Sequence, residues 1–206
     1  MENCIKICGV EIPLSNEQMA ALLHAFIRGS ESSGEGGLIK ISEDGCFTVG
    51  KHEFVVLERG ENCVKALLKD ILVNSDFGKC NNYDGSKVDA ICNEFGYEIA
   101  WIVGEDNLLP LNVDLTSNDG LRDYGAIKRR AALLTAEQAR RYVDVLDRHK
   151  LDAWWWLATP YSTPTHEDAD YILRVAPSGR IGCGNCYSNS NGVRPFCIFN
   201  SDIFVS

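Results

Sequence analysis

Apolar residues recur along this chain in two rhythms, and the changes between them mark its elements. From Ser15 the spacing is helical: Met19, Leu22, Leu23 and Phe26 share one face. Ser15-Asn16-Glu17-Gln18 has capping-box spacing, in which the Ser hydroxyl and the Gln side chain satisfy orphan helix amides. Gly29 marks the stop. A small helical leader is therefore expected. The Ser/Gly/Glu run from Ser30 to Gly37 has linker composition and separates this leader, residues 1–37, from a main domain at 38–206.

In the main domain, Ile39 and Ile41 alternate with polar residues, and Phe54-Val55-Val56-Leu57 reads as a short buried strand. Glu58 to Asn62 reads as a hairpin turn. Cys63 to Val73 fits a helix through Val64, Leu67, Leu68 and Ile71, and equally a strand. Asp84-Gly85-Ser86 opens a helix through Val88, Ile91 and Phe95, with Ser86 as its cap. Asn107 to Gly125 lacks sustained periodicity and reads as a long loop with short strand pieces.

Thr135-Ala136-Glu137-Gln138 is a second capping box. Its helix is expected to reach about His149, with Ala139, Tyr142, Val143 and Leu146 inside. Trp154-Trp155-Trp156-Leu157 reads as extended, so adjacent rings face opposite ways and at least one packs inward. Strands at Tyr171–Val175 and Arg180–Gly182 flank a turn at Ala176–Gly179, and a closing strand is expected around Val193–Phe199. Arg194 precedes Pro195, which holds it extended and places its guanidinium to clamp loop carbonyls or a carboxylate. The pattern is α+β.

Composition narrows the function classes. No apolar run approaches the roughly 20 residues that span a bilayer. The start, Met1 to Lys6, lacks the pattern of a signal peptide, so a cytoplasmic location in a bacterium or phage-infected host is expected. The nine cysteines are then expected to be reduced thiols. A net charge of −9 argues against direct binding of nucleic acid. Seven acids lie between Val88 and Leu121 (Asp89, Glu94, Glu98, Glu105, Asp106, Asp114, Asp119) without one Lys or Arg. That stretch is either a solvated face or a contact face for a basic protein.

Candidate chemistry is sparse. Cys183-Gly184-Asn185-Cys186 follows a strand, whereas redox pairs place the first thiol at a helix N-terminus. A zinc site would need Cys197 and His166 as additional ligands. The plain reading is a pair of loop thiols, with no metal and no cofactor expected. His166-Glu167-Asp168 resembles a catalytic cluster but has no nucleophile beside it.

Trp154-Trp155-Trp156-Leu157-Ala158-Thr159-Pro160, followed by Gly192-Val193-Arg194-Pro195-Phe196, resembles an uncharacterised domain family of phages and gut bacteria. Its signature is W-W-L-R-S-P, a variable stretch, then G-V-R-P. The resemblance extends upstream through Phe47-Thr48-Val49-Gly50, Tyr83-Asp84-Gly85-Ser86 and Leu133-Leu134-Thr135-Ala136-Glu137, covering roughly residues 45 to 200. That family is similar to a branch of the C-type-lectin-like fold, shared with formylglycine-generating enzymes and the variable receptors of diversity-generating retroelements. The resemblance implies short twisted sheets with two main helices. It also implies partner-binding loops at Tyr161–Asp168 and Tyr187–Asn191, offering Tyr161, Thr163, Thr165, His166, Asp168, Tyr187, Asn189 and Asn191. Two departures stand out: R-S-P is Ala158-Thr159-Pro160 here, and the leader has no counterpart.

The function expected is non-enzymatic recognition of a protein partner, in a phage- or mobile-element-derived protein. An alternative is an anti-CRISPR or other anti-defence inhibitor. Glu98, Glu105 and Asp106 would then block the basic channel of a nucleic-acid-binding host protein. A third is a metal- or thiol-dependent enzyme related to formylglycine-generating enzyme, built on Cys183, Cys186 and Cys197.

Overall fold

A computed structural model describes residues 4–7, 10–13, 38–187 and 191–205. The chain divides into two units, Met1–Gly37 and Leu38–Ser206. In the first, β1 (Cys4–Ile7) and β2 (Val10–Pro13) form an antiparallel hairpin that periodicity did not suggest. The helix expected from Ser15 to Arg28 lies outside the described residues.

The second unit is a mixed α+β fold. It opens with the antiparallel meander β3 (Cys46–Val49), β4 (His52–Arg59) and β5 (Cys63–Leu68). Next come β6 (Val73–Ser75), helix α1 (Lys87–Val103), and the short strands β7 (Leu108–Leu109) and β8 (Leu111–Asp114). Strands β9 (Ala126–Arg129) and β10 (Ala131–Ala132) lead to helices α2 (Ala136–Arg141) and α3 (Val143–Arg148). The chain ends with β11 (Trp155–Pro160), β12 (Tyr171–Val175), β13 (Ile181–Asn185), β14 (Asn191–Val193) and β15 (Phe196–Asn200).

Two sheets dominate. One runs β10-β15-β5-β4-β3, with β7 also pairing β15; the other runs β13-β12-β11-β14-β6. Strand β5 resolves the ambiguity left by periodicity. Val64, Ala66 and Leu68 face one core cluster and Leu67 faces the other, so both sides are covered. A strand buried on both faces reads as a continuous apolar run, which spacing alone does not separate from a helix. Helix α1 spans both cores, giving Val88 and Cys92 to one and Phe95 and Ile99 to the other.

Local signals hold where their partners are local. The Ser86 hydroxyl accepts the Asp89 amide at 3.1 Å, capping α1 as expected. The Thr135 capping box forms reciprocally: the Gln138 amide donates to the Thr135 hydroxyl at 3.2 Å, and the Thr135 amide donates to Oε1 of Gln138 at 2.9 Å. The helix it opens does not run on to His149. It breaks at Tyr142, where the backbone leaves helical values (φ −101°, ψ 19°). The buried Tyr142 ring sends its hydroxyl to Glu58 Oε2, 2.6 Å away. Of the two main helices expected, one is therefore continuous and the other is a broken pair, and Val143 turns outward.

The expected closing strand is two strands in different sheets. Strand β14 belongs to the five-stranded sheet and β15 to the six-stranded one, and Arg194-Pro195 is the crossing between them. Pro195 brings no N–H that the crossing would have to satisfy, and its carbonyl accepts the Leu68 amide at 2.8 Å. Arg194 is buried, donating from Nε to the Leu68 carbonyl at 2.7 Å and from a terminal nitrogen to the Lys69 carbonyl at 2.8 Å. Its guanidinium lies 5.3 Å from the centre of the Trp155 ring. Burial lowers its pKa to about 10, which leaves it protonated at neutral pH. Trp155 and Trp156 are both buried, Trp156 donating from its indole nitrogen to the Ser75 carbonyl at 2.8 Å. Trp154 is only half-buried beneath the Arg174 guanidinium, at 4.2 Å.

Candidate recognition surface

The ends of β11, β12 and β13 bring three tyrosines to one rim of the five-stranded sheet. The Tyr161 amide donates to the Tyr171 carbonyl at 3.0 Å, and Tyr171 lies opposite Asn185. The side-chain oxygen of Asn185 accepts the Tyr187 amide at 2.8 Å. The rings stand in solvent, with Tyr161 46%, Tyr171 45% and Tyr187 58% exposed. The Tyr187 hydroxyl donates to the Lys79 carbonyl at 2.9 Å, which fixes where that ring stands. Tyr171 did not stand out in the sequence, because it reads as an ordinary strand residue.

Two carboxylates tie the Tyr161–Asp168 loop to the segment after β8. Asp119 accepts the hydroxyls of Ser117 and Ser162, and His166 Nδ1 lies 3.0 Å from its Oδ2. Asp123 Oδ2 accepts the hydroxyls of Thr163 and Thr165, each at 2.6 Å. Behind them, the buried Asn81 amide donates to the Ser162 carbonyl at 3.1 Å and the Tyr171 carbonyl at 2.9 Å. It accepts the Tyr124 hydroxyl at 2.8 Å. The hydroxyls of Ser117 and Ser162, with His166, hold Asp119 well below the usual carboxylate range; Thr163 and Thr165 lower Asp123. Ser162 and His166 both address Asp119. Together the three side chains form a clasp between the loop and that segment.

The expected contact residues divide accordingly. Tyr161, Thr165, His166 and Tyr187 are exposed. Asp168 is half-buried, its carboxylate accepting the amides of Asp170 at 3.0 Å and Tyr171 at 3.2 Å. Thr163 and Asn191 depart from expectation: both are fully buried. Thr163 serves the clasp, and Asn191 accepts an Arg174 N–H at 3.0 Å, so they support the loops without being displayed. Asn189 lies outside the described residues.

The acidic stretch is largely used within the chain. Asp89 is buried and receives Arg129 through two hydrogen bonds of 2.8 and 2.7 Å. Asp114 accepts the Thr116 amide and hydroxyl. Glu98 pairs with Lys51 and His52, each at 3.1 Å, and Glu105 pairs with Arg130. Of the three acids expected to face a basic channel, only Asp106 makes no ion pair among the described residues.

Cys183, Cys186 and Cys197 sit in three different surroundings. Cys183 is exposed on β13, Cys186 is buried in the turn after it, and Cys197 is sealed in a core cluster with Phe47, Phe54 and Phe199. Burial raises the Cys186 thiol to about 11. Among the described residues, no group of three His, Cys, Asp or Glu side chains is placed to hold a metal ion. No described helix is long and apolar enough to cross a membrane. No protein-family model matches the chain, and neither a curated protein nor a solved structure matches it significantly.

The clasp carries a pH expectation. Both carboxylates have folded pKa values below the ordinary 3.8. Their contribution is complete above that unfolded value and is lost as pH falls through the folded ones. Amide exchange of His166, Glu167 and Asp168, whose N–H groups donate within the loop, should therefore stay slow from neutral pH to about 4, once corrected for intrinsic rates, and quicken below it. Release between pH 7 and 5 would contradict the clasp.

Proposed function

We propose that this chain is a non-enzymatic recognition protein, in which a C-type-lectin-like scaffold presents a tyrosine rim to a protein partner. The observation that carries this reading is the trio Tyr161, Tyr171 and Tyr187, all exposed where neighbouring strands end. Tyrosine offers large contact area with only two torsions to freeze, and flanking hydroxyls and amides add adaptable hydrogen bonds. The carboxylate clasp supports the reading further, since a pre-ordered loop loses less entropy on binding. Thr165, His166 and Asp168 complete the surface beside the rings. The phage or mobile-element origin and the cytoplasmic setting belong to the same proposal.

An anti-defence inhibitor acting through Glu98, Glu105 and Asp106 is the weaker reading, because two of these acids already have partners within the chain. Affinity capture from a bacterial host lysate separates the two. Tyr161→Ala with Tyr187→Ala should reduce capture of a partner at least tenfold while the melting temperature stays unchanged. Reversal of the three acids to Lys should leave capture of that same partner intact. Salt-sensitive loss on acid reversal alone would favour the inhibitor, and full capture by both variants would discard the tyrosine rim.

A further inference from the structure

Helix α1 buries one side and leaves the other open. Glu94, Tyr97 and Trp101, at i, i+3 and i+7, form one outer stripe. Trp101 is 67% exposed and Tyr97 57%. How this stripe treats a cation is visible within the molecule. The Arg130 guanidinium lies 5.3 Å from the centre of the Tyr97 ring, and its charge is met by Glu105. One turn further on, the Trp101 ring carries no such cation among the described residues. Indole is the strongest aromatic acceptor of a cation.

The cations nearby, Lys51 and Arg130, are already met by Glu98 and Glu105, and further carboxylates remain. Glu94 on the stripe and Asp106 just beyond the helix make no ion pair among the described residues, and the Glu98 side chain stays 42% exposed beside its partners. The segment from Val88 to Leu121 itself contributes no Lys or Arg. An anionic lipid surface or a nucleic acid would be repelled here. A cationic peptide is favoured by both the rings and the carboxylates.

We propose that the Glu94–Tyr97–Trp101 stripe docks an arginine-bearing basic segment of a protein partner. One guanidinium sits on the Trp101 ring, repeating the Arg130–Tyr97 arrangement. A second basic side chain meets Glu94, two helical turns or about 10 Å away. This surface is separate from the tyrosine rim and does not depend on it.

The test uses the full chain and an oligo-arginine peptide, with a Gly/Ser peptide as the neutral probe. Trp101 is the most exposed of the four tryptophans, so its fluorescence should report the contact. Saturable quenching by oligo-arginine, absent with the neutral peptide, is expected. Calorimetric affinity should fall about five- to tenfold in Trp101→Ala, and comparably in Glu94→Lys with Asp106→Lys. Asp144→Lys with Asp152→Lys changes net charge equally at exposed positions elsewhere and should bind like the wild type. Equal weakening by this control pair would mean unspecific charge attraction and overturn the proposal. So would undiminished binding by Trp101→Ala. A wild-type dimer that Trp101→Ala converts to monomer in sedimentation would also overturn it, by naming a second copy as the occupant.

Discussion

Arg194→Ala is expected to cost about 3–5 kcal/mol of folding stability, an effect far larger than a surface arginine gives. Two charge-assisted hydrogen bonds, at about 1.5–3 kcal/mol each, are lost together. They hold the carbonyls of Leu68 and Lys69, where the end of β5 meets the crossing between the two large sheets. The side chain is 1% exposed, so water does not readily replace it. Arg194→Met separates donors from bulk, because it keeps an unbranched apolar stem and removes every N–H. Denaturant unfolding should place Arg194→Met much nearer Arg194→Ala than the wild type. If Arg194→Met matches the wild type, the arginine acts as filler against Trp155, and the clamp on the two carbonyls is not what holds the crossing.

Trp156→Ala should be comparably severe, at about 3–5 kcal/mol. In a domain of this size that lowers the melting temperature by on the order of 10 °C. The ring is fully buried, packs edge-on to Phe77 with centroids 5.7 Å apart, and carries a buried hydrogen bond to the Ser75 carbonyl. Trp156→Phe retains most of the packing but orphans that carbonyl, and should lose about 1–3 kcal/mol. Trp154→Ala, at the half-buried neighbour, should lose markedly less. Equal losses at Trp154 and Trp156 would contradict the full burial of the Trp156 ring beside a half-buried Trp154.

These expectations rest on the part of the fold where sequence and structure agree most closely. Arg194 before Pro195 was legible as a clamp because proline restricts its neighbour whatever surrounds it. The two helix caps were legible for a similar reason: donor and acceptor lie three residues apart. The turn at Ala176–Gly179 likewise closes on itself, the Gly179 amide donating to the Ala176 carbonyl at 2.8 Å. The α+β character and the strand reading of the tryptophan run followed from periodicity. Of the candidate surface, Tyr161 and Tyr187 were named from the family resemblance, and Tyr171 was missed.

What the sequence determined by itself are the features whose two halves lie within a few residues: caps, tight turns, the restriction before proline, and the rhythm of buried positions. Tertiary structure alone decided the rest. It turned the run at Cys63 into a strand by covering both its faces, and it split the last strand between two sheets. Asp89, Asp119 and Asp123 became internal ties, because their partners Arg129, His166 and Thr163 lie 40 to 47 residues away in the chain. A carboxylate that will meet a distant arginine has the same local pattern as one that will face water. Only the closing of the chain distinguishes them.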